Sequence, residues 1–185
     1  MNDTNPVEDT KAVDILLVED NPDDAELTLR GLKRVAKNIV WVKDGAEAFD
    51  FVYARGKYAA RRGADPPRMV LLDLKLPKLD GLEVLRHVRA NPATRWVPIV
   101  ALTSSAEERD IIETYASGIN SYVTKPVGFA DFQKAVECLG MYWVLVNRVP
   151  DHRMGGLGEL ADSHDEQDDE GADGADRADR QTFAT

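Results

Sequence analysis

The sequence predicts a doubly wound α/β domain, a five-stranded parallel sheet with helices on both faces. Two observations carry that reading. Short, nearly continuous apolar runs recur along the chain, as strands buried on both faces require. Between them the apolar spacing changes to that of a helix face. A third observation concerns chemistry: the runs end on acids, a hydroxyl and an ammonium, and in an open parallel sheet ligands bind at that edge.

The first run, Asp14-Ile15-Leu16-Leu17-Val18, passes straight into Glu19-Asp20. Pro22 suits the first turn of a following helix, along which Ala25, Leu29, Leu32 and Ala36 share one face. Ile39-Val40-Trp41-Val42 is the second strand. Asp44 stands where a helix cap is expected, ahead of Ala46, Phe49 and Tyr53. The third strand, Met69-Val70-Leu71-Leu72-Asp73, lies between Pro66-Pro67 and Pro77, and Asp80 caps a helix that carries Leu82, Leu85 and Val88. Val97-Pro98-Ile99-Val100-Ala101-Leu102 ends on Thr103-Ser104-Ser105, and Asn120-Ser121-Tyr122-Val123 ends on Thr124-Lys125-Pro126. Because X-Pro bonds adopt cis at little cost, Lys125-Pro126 is expected to bend through a cis peptide. The last helix is expected to bury Phe129, Phe132, Val136, Leu139 and Trp143. Met141, Tyr142, Val144 and Leu145 then widen its apolar arc beyond one core-facing stripe, and the surplus calls for a second copy of the chain, a homodimer through this helix and its neighbours.

Length and charge bound the rest. At roughly 150 residues per domain, the chain holds one core at residues 12–150, after a flexible N-terminus at 1–11. From Asp151 to Thr185 there are 11 acids against three arginines, net −8, so residues 1–150 hold −2 of the total −10. With its Gly-Ala-Asp repeats and few large apolar residues, this segment is expected to be an acidic disordered tail. No output domain is expected within it. Cys138 is the single cysteine, which excludes an intramolecular disulfide and fits a small packing residue of the last helix. Neither a leader at Met1 to Val13 nor an apolar run near the ~20 residues of a membrane span is present; the expected location is the cytoplasm, with no membrane partner. The acidic balance argues against nucleic-acid binding, and Arg55, Lys57, Arg61 and Arg62 read as a solvated face.

Glu19, Asp20 and Asp73 meet at one strand edge, where each close pair of carboxylates repels by about 4 kcal/mol at an effective dielectric near 20. A hard divalent cation offsets that, and Mg²⁺ favours one or two carboxylates, waters and a phosphate oxygen. In that frame Asp73 is a nucleophile toward a phosphoryl group, which it carries as an acyl phosphate. Thr103 supplies a hydroxyl donor and Lys125 an ammonium to the transferring oxygens.

The segments Ile15-Leu16-Leu17-Val18-Glu19-Asp20-Asn21, Leu71-Leu72-Asp73 with Pro77 and Asp80-Gly81, Ala101-Leu102-Thr103, and Tyr122 with Lys125-Pro126 resemble the receiver domain of bacterial two-component response regulators, which has the flavodoxin-like fold. The resemblance runs from about Asp14 to Val149. It implies that Asp73 is the phosphoacceptor and that a sensor histidine kinase is the donor. It also implies that Asp20, Asp73 and the Lys75 main-chain carbonyl hold Mg²⁺ directly, with Glu19 acting through water. Thr103 and Lys125 would bind the phosphoryl group, and Tyr122 matches the aromatic switch. Asn21-Pro22-Asp23-Asp24-Ala25-Glu26-Leu27, the long Arg55 to Pro67 connection, Leu74-Lys75-Leu76-Pro77-Lys78 and the ending Tyr142-Trp143 to Val149-Pro150 look like the short regulators paired with bacterial phytochrome kinases. The implied activity is signalling through protein–protein binding, with assisted phosphotransfer and slow autodephosphorylation.

Rival readings are weaker on the residues. An aspartate-nucleophile phosphatase on a similar sheet carries a second Asp two residues past the first as general acid, and that place is Lys75. A flavin-binding module needs a hydroxyl- and glycine-rich phosphate loop, whereas Glu19-Asp20-Asn21-Pro22-Asp23-Asp24 would repel a phosphate. His87 reads as a surface or packing residue, His152 and His164 as solvated, and Trp41 and Trp96 as packing residues.

Overall fold

Four- and five-residue strands alternate with amphipathic helices along the chain: β1 (Ile15–Val18), α1 (Pro22–Leu32), β2 (Ile39–Val42), α2 (Gly45–Val52), β3 (Met69–Leu72), α3 (Gly81–Ala90), β4 (Ile99–Thr103), α4 (Glu108–Ala116), β5 (Ser121–Thr124) and α5 (Phe129–Gly140). A short 3-10 helix, Gly56–Arg61, leads toward β3, and a π-helical turn, Met141–Val146, extends α5. This is a computed structural model that describes residues 12–149. The expected flexible N-terminus and acidic tail lie outside the described residues.

All five strands are parallel, in the order β2-β1-β3-β4-β5. That is the flavodoxin-like order, whose reversal point falls between β1 and β3. Alternate strand residues feed two cores. Leu16, Val18, Val70, Leu72, Ile99 and Ala101 pack beneath α2 and α3, while Ile15, Leu17, Met69, Leu71, Val100 and Leu102 pack beneath α1 and α5. β1 and β3 are buried throughout, so the residues just past them are aimed by two fully packed strands. Each buried aliphatic side chain contributes about 1.5–3 kcal/mol.

The helices begin where the sequence provides caps. Asn21 Oδ1 accepts from the Asp23 amide ahead of Pro22. Asp44 accepts from the Glu47 amide at α2, and Asp80 forms a reciprocal capping box with Glu83 at α3.

Five expectations are corrected. No peptide bond among the described residues is cis: Lys125 continues the ladder by donating its amide to the Thr103 carbonyl at 2.8 Å, so a trans Pro126 serves. In α2 the core face is Gly45, Ala48 and Phe51, and Ala46 is exposed. In α5, Phe132 and Val136 are buried but Phe129 is 56% exposed, and the π-helical turn brings Val144 into the core instead. Cys138 is exposed. Arg61, expected on a solvated face, is buried with its guanidinium over the Phe51 ring.

Candidate functional site

The β1–β3 register pairs Val18 with Leu72, and the Asp73 amide donates to the Val18 carbonyl at 2.9 Å. Glu19 and Asp73 therefore leave the sheet side by side at its reversal point. Carboxylate oxygens of Glu19, Asp20 and Asp73 lie within 4.8 Å of one another. Glu19 and Asp73 are buried and Asp20 is exposed, so the group meets solvent at Asp20. Three hard oxygen donors so spaced fit a Mg²⁺- or Mn²⁺-type ion and not a softer metal.

Lys125 reaches into this group from the end of β5. Its Nζ lies 2.7 Å from Glu19 Oε2, 2.7 Å from Asp73 Oδ2 and 2.8 Å from Asp24 Oδ2. Burial would lower the lysine pKa, yet the bonds to Asp24, Asp73 and Glu19 hold it above the ordinary value. In Glu19 burial wins instead, pushing its carboxyl up to about 7 against the pull of Lys125. Burial is the larger cause, and the neighbouring Asp73 carboxylate adds to it.

Asp73 uses both oxygens. Oδ2 meets Lys125, and Oδ1 accepts the Lys75 amide at 3.0 Å. The Lys75 side chain is exposed. The β3–β4 register pairs Leu72 with Ala101, which sets fully buried Thr103 just beyond Asp73 on the neighbouring strand. Thr103 Oγ1 accepts from the Ser105 amide at 3.4 Å, and Tyr122 donates its hydroxyl to the Ser105 carbonyl at 3.2 Å. The β4–α4 segment thus links the hydroxyl expected to meet phosphate with the aromatic residue expected to respond.

Every expected site residue lies at this edge of the sheet. Two contributors escaped the sequence reading. Asp24, one turn into α1, is the third carboxylate on Lys125; the acid-rich run after β1 was its only signal. Trp41 is more than a packing residue, because its indole N–H donates to the Glu19 carbonyl at 2.8 Å and fixes the backbone that carries the acidic pair. His87 is exposed, with Nδ1 2.8 Å from the Glu83 carbonyl and its ring edge-on to Phe49, in keeping with a packing role. No helix among the described residues is long and apolar enough to cross a membrane.

Comparison with known proteins agrees with this geometry. The probable methanogenesis regulatory protein FilR2 of Methanothrix harundinacea is 41% identical over 138 residues, 74% of this chain and 86% of that protein. Response regulator Rcp1 of Synechocystis is 36% identical over 74% of this chain and 92% of its own length. The crystal structure of its Mn²⁺-bound form superposes with a TM-score of 0.68 at 35% identity, covering 74% of this chain and 98% of that one. The bacteriophytochrome response regulator AtBRR is 49% identical over 75% of this chain and 99% of its own, with a TM-score of 0.58. Residues 15–137 match the model of the response regulator receiver domain, and the chain, a signalling protein, belongs to that family.

Proposed function

We propose that this receiver accepts a phosphoryl group on Asp73 from the phosphohistidine of a sensor histidine kinase in a Mg²⁺-dependent reaction, and that the product signals by binding other proteins. The observation that carries this reading is the convergence of Glu19, Asp20 and Asp73 within 4.8 Å, with Lys125 2.7 Å from the Asp73 carboxylate. Asp20, Asp73 and the Lys75 carbonyl would hold the ion directly, and Glu19 through water. A bound Mg²⁺ supplies charge neutralisation for the phosphoryl oxygens.

An Asp73 carboxylate oxygen attacks the phosphorus, the P–N bond to the kinase imidazole breaks, and its electron pair stays on that nitrogen. An acyl phosphate remains. Lys125 transfers its bond from Asp73 Oδ2 to an arriving phosphoryl oxygen, and Thr103 donates its hydroxyl to another. Tyr122 follows the Ser105 segment as Thr103 moves. Slow autodephosphorylation by water returns the carboxylate. The 49% identity to AtBRR supports a bacterial phytochrome as the kinase, and the exposed apolar surface of α5 and its π-helical turn supports a homodimer.

The test is phosphoryl labelling of Asp73→Asn beside wild type, from a phosphorylated kinase and from acetyl phosphate. Wild type takes label only with Mg²⁺ present, and the variant takes none. Label that persists in the variant, or that forms without a divalent cation, overturns the assignment. A bacteriophytochrome kinase should transfer faster than unrelated histidine kinases; equal rates overturn the phytochrome pairing alone.

A further inference from the structure

The segment from Asp73 to Asp80 is short, irregular and held from both ends. At its far end, the Gly81 amide donates to the Leu74 carbonyl at 3.0 Å, and a Cβ on Gly81 would fall 2.4 Å from the Asp73 carbonyl oxygen. Within it, the Leu76 amide reaches the Leu74 carbonyl at 3.2 Å and the Leu79 amide reaches the Pro77 carbonyl at 2.9 Å. Lys78 sits at φ +67°, a left-handed conformation that a side-chain-bearing residue keeps only when its surroundings enforce it.

Those surroundings come from α2, an element with no residue in the acidic site. Lys78 Nζ lies 2.6 Å from Asp44 Oδ2. Asp44 is buried, and although burial would raise its carboxyl, Lys78 and the Glu47 and Ala46 amides hold it below the ordinary aspartate value. The next residue closes the gap completely. A Cβ on Gly45 would stand 1.9 Å from the Leu79 carbonyl oxygen and 2.7 Å from its carbon. These are backbone atoms, so a side chain there can enter only if the segment itself moves.

We propose that the N-terminus of α2 is a brace for the phosphorylation site: Gly45, by close approach to Leu79, and Asp44, by pairing with Lys78, set the path of the Asp73–Asp80 segment and so the place of the Lys75 main-chain carbonyl beside Asp73. All three are positioning residues. The inference rests on the assignment of Asp73, Asp20 and the Lys75 carbonyl as the divalent-cation site. Its content is that residues of α2 with no contact to the ion set its affinity. The Lys78 side chain is two-thirds exposed, and solvent screening at that end limits what the pair contributes to global stability, so Lys78 should matter to the segment far more than to the fold.

The experiment is Mg²⁺ titration by calorimetry on the full chain, paired with the thermal midpoint of each variant in metal-free buffer. Lys78→Met should weaken Mg²⁺ binding about three- to tenfold with the metal-free midpoint within about 3 °C of wild type. Lys78→Arg should restore affinity, and Asp44→Asn, which keeps an acceptor for the Glu47 amide, should behave like Lys78→Met. Gly45→Ala should weaken binding by more than tenfold, and if it does not fold, the Lys78 and Asp44 variants decide. Wild-type affinity in folded Lys78→Met and Asp44→Asn overturns the brace, as does a lowered midpoint with unchanged affinity, which marks a merely structural contact. Failure of the wild type to bind Mg²⁺ at all would instead overturn the site assignment beneath it.

Discussion

Lys125 Nζ lies 2.7 Å from Asp73 Oδ2, so the ammonium meant for an incoming phosphoryl group rests on the nucleophile itself. The same nitrogen also holds Glu19 and Asp24. Among the described residues Lys125 is the only side-chain cation paired with these three carboxylates, and its side chain is 9% exposed.

Removing it should therefore expose their repulsion. Breaking one partner out of a buried ion pair costs about 3–5 kcal/mol, but Glu19 can take up a proton and Asp24 is a third exposed, which discounts the loss. Lys125→Met is expected to lose about 2–3 kcal/mol in metal-free buffer and to recover much of it in Mg²⁺, while phosphoryl uptake from acetyl phosphate falls by at least tenfold. Denaturant unfolding with and without Mg²⁺ measures the first part. Equal losses in the two buffers would show that Lys125 supports packing and not charge balance.

Much of this site was legible because a fully apolar strand fixes which residue comes first past its end. Glu19, Asp73 and Thr103 each follow or close such a run, and parallel pairing brings those ends together. Side chains that reach back from a neighbouring element were not legible. Asp24 meets Lys125 only because Asn21 caps α1 and turns its first residues over the sheet edge. The Trp41 indole finds the Glu19 carbonyl only because β2 pairs with β1 in the register Leu17 to Trp41. The face of α2 was misread for a related reason. Its start is pinned by Gly45 against Leu79, a contact outside the helix, which leaves Ala46 exposed and Ala48 buried. A regular helical period likewise put Trp143 on the buried face and Val144 off it, but the end of α5 switches to π geometry, and Val144 is buried while Trp143 is half-buried.

The pH dependence of cation binding follows from Glu19. Its carboxyl titrates near 7 in the folded protein against an ordinary 4.5, raised by burial. The folded state therefore keeps a proton that the unfolded chain has already released. The stability linked to that proton is complete below about 4.5 and is lost as pH rises through about 7. Cation binding has the opposite sign, since the ion competes with the proton for the same charge. Mg²⁺ affinity is expected to climb by up to about tenfold per pH unit from about pH 5.5 and to level off above about 7. Glu19→Gln should flatten that climb; a profile that keeps its slope in this variant would place the titration on another group.

The homodimer prediction rests on apolar surface the fold leaves uncovered. Tyr142 is 52% exposed, Leu145 61% and Val146 65%, beside half-buried Trp143. A contiguous patch of that kind on one helix end marks an interaction surface more often than a solvated one. Light scattering at tens of micromolar should return twice the 20.5 kDa chain mass, and Leu145→Glu should return the monomer. A monomer mass for wild type, with and without beryllofluoride, would assign the patch to a different partner.

The lifetime of the acyl phosphate should be long, and the reason lies in Lys75 and Ser105. Hydrolysis needs a water in line with phosphorus on the side opposite Asp73, and a carboxylate or amide near that line can orient it. Lys75 offers only donors. Its amide is tied to Asp73 Oδ1, its side chain is exposed, and no ion pair holds it among the described residues. Asp80, the acid most able to draw it aside, is occupied in capping α3, where Oδ1 accepts from the Leu82 amide at 3.1 Å. Ser105, two residues past Thr103, donates its hydroxyl to Asp110. Lys75 supplies no acceptor for water, the Ser105 hydroxyl is engaged with Asp110, and the free ammonium is drawn to the phosphoryl oxygens, where it covers the line of attack. Lys75→Asn replaces the donor with a group that can accept from water, so phosphate loss in Mg²⁺ should quicken by about three- to tenfold, on the low side of what a positioned acid or base contributes. An unchanged or slower rate in that variant would mean that Lys75 stays in solvent and shields nothing.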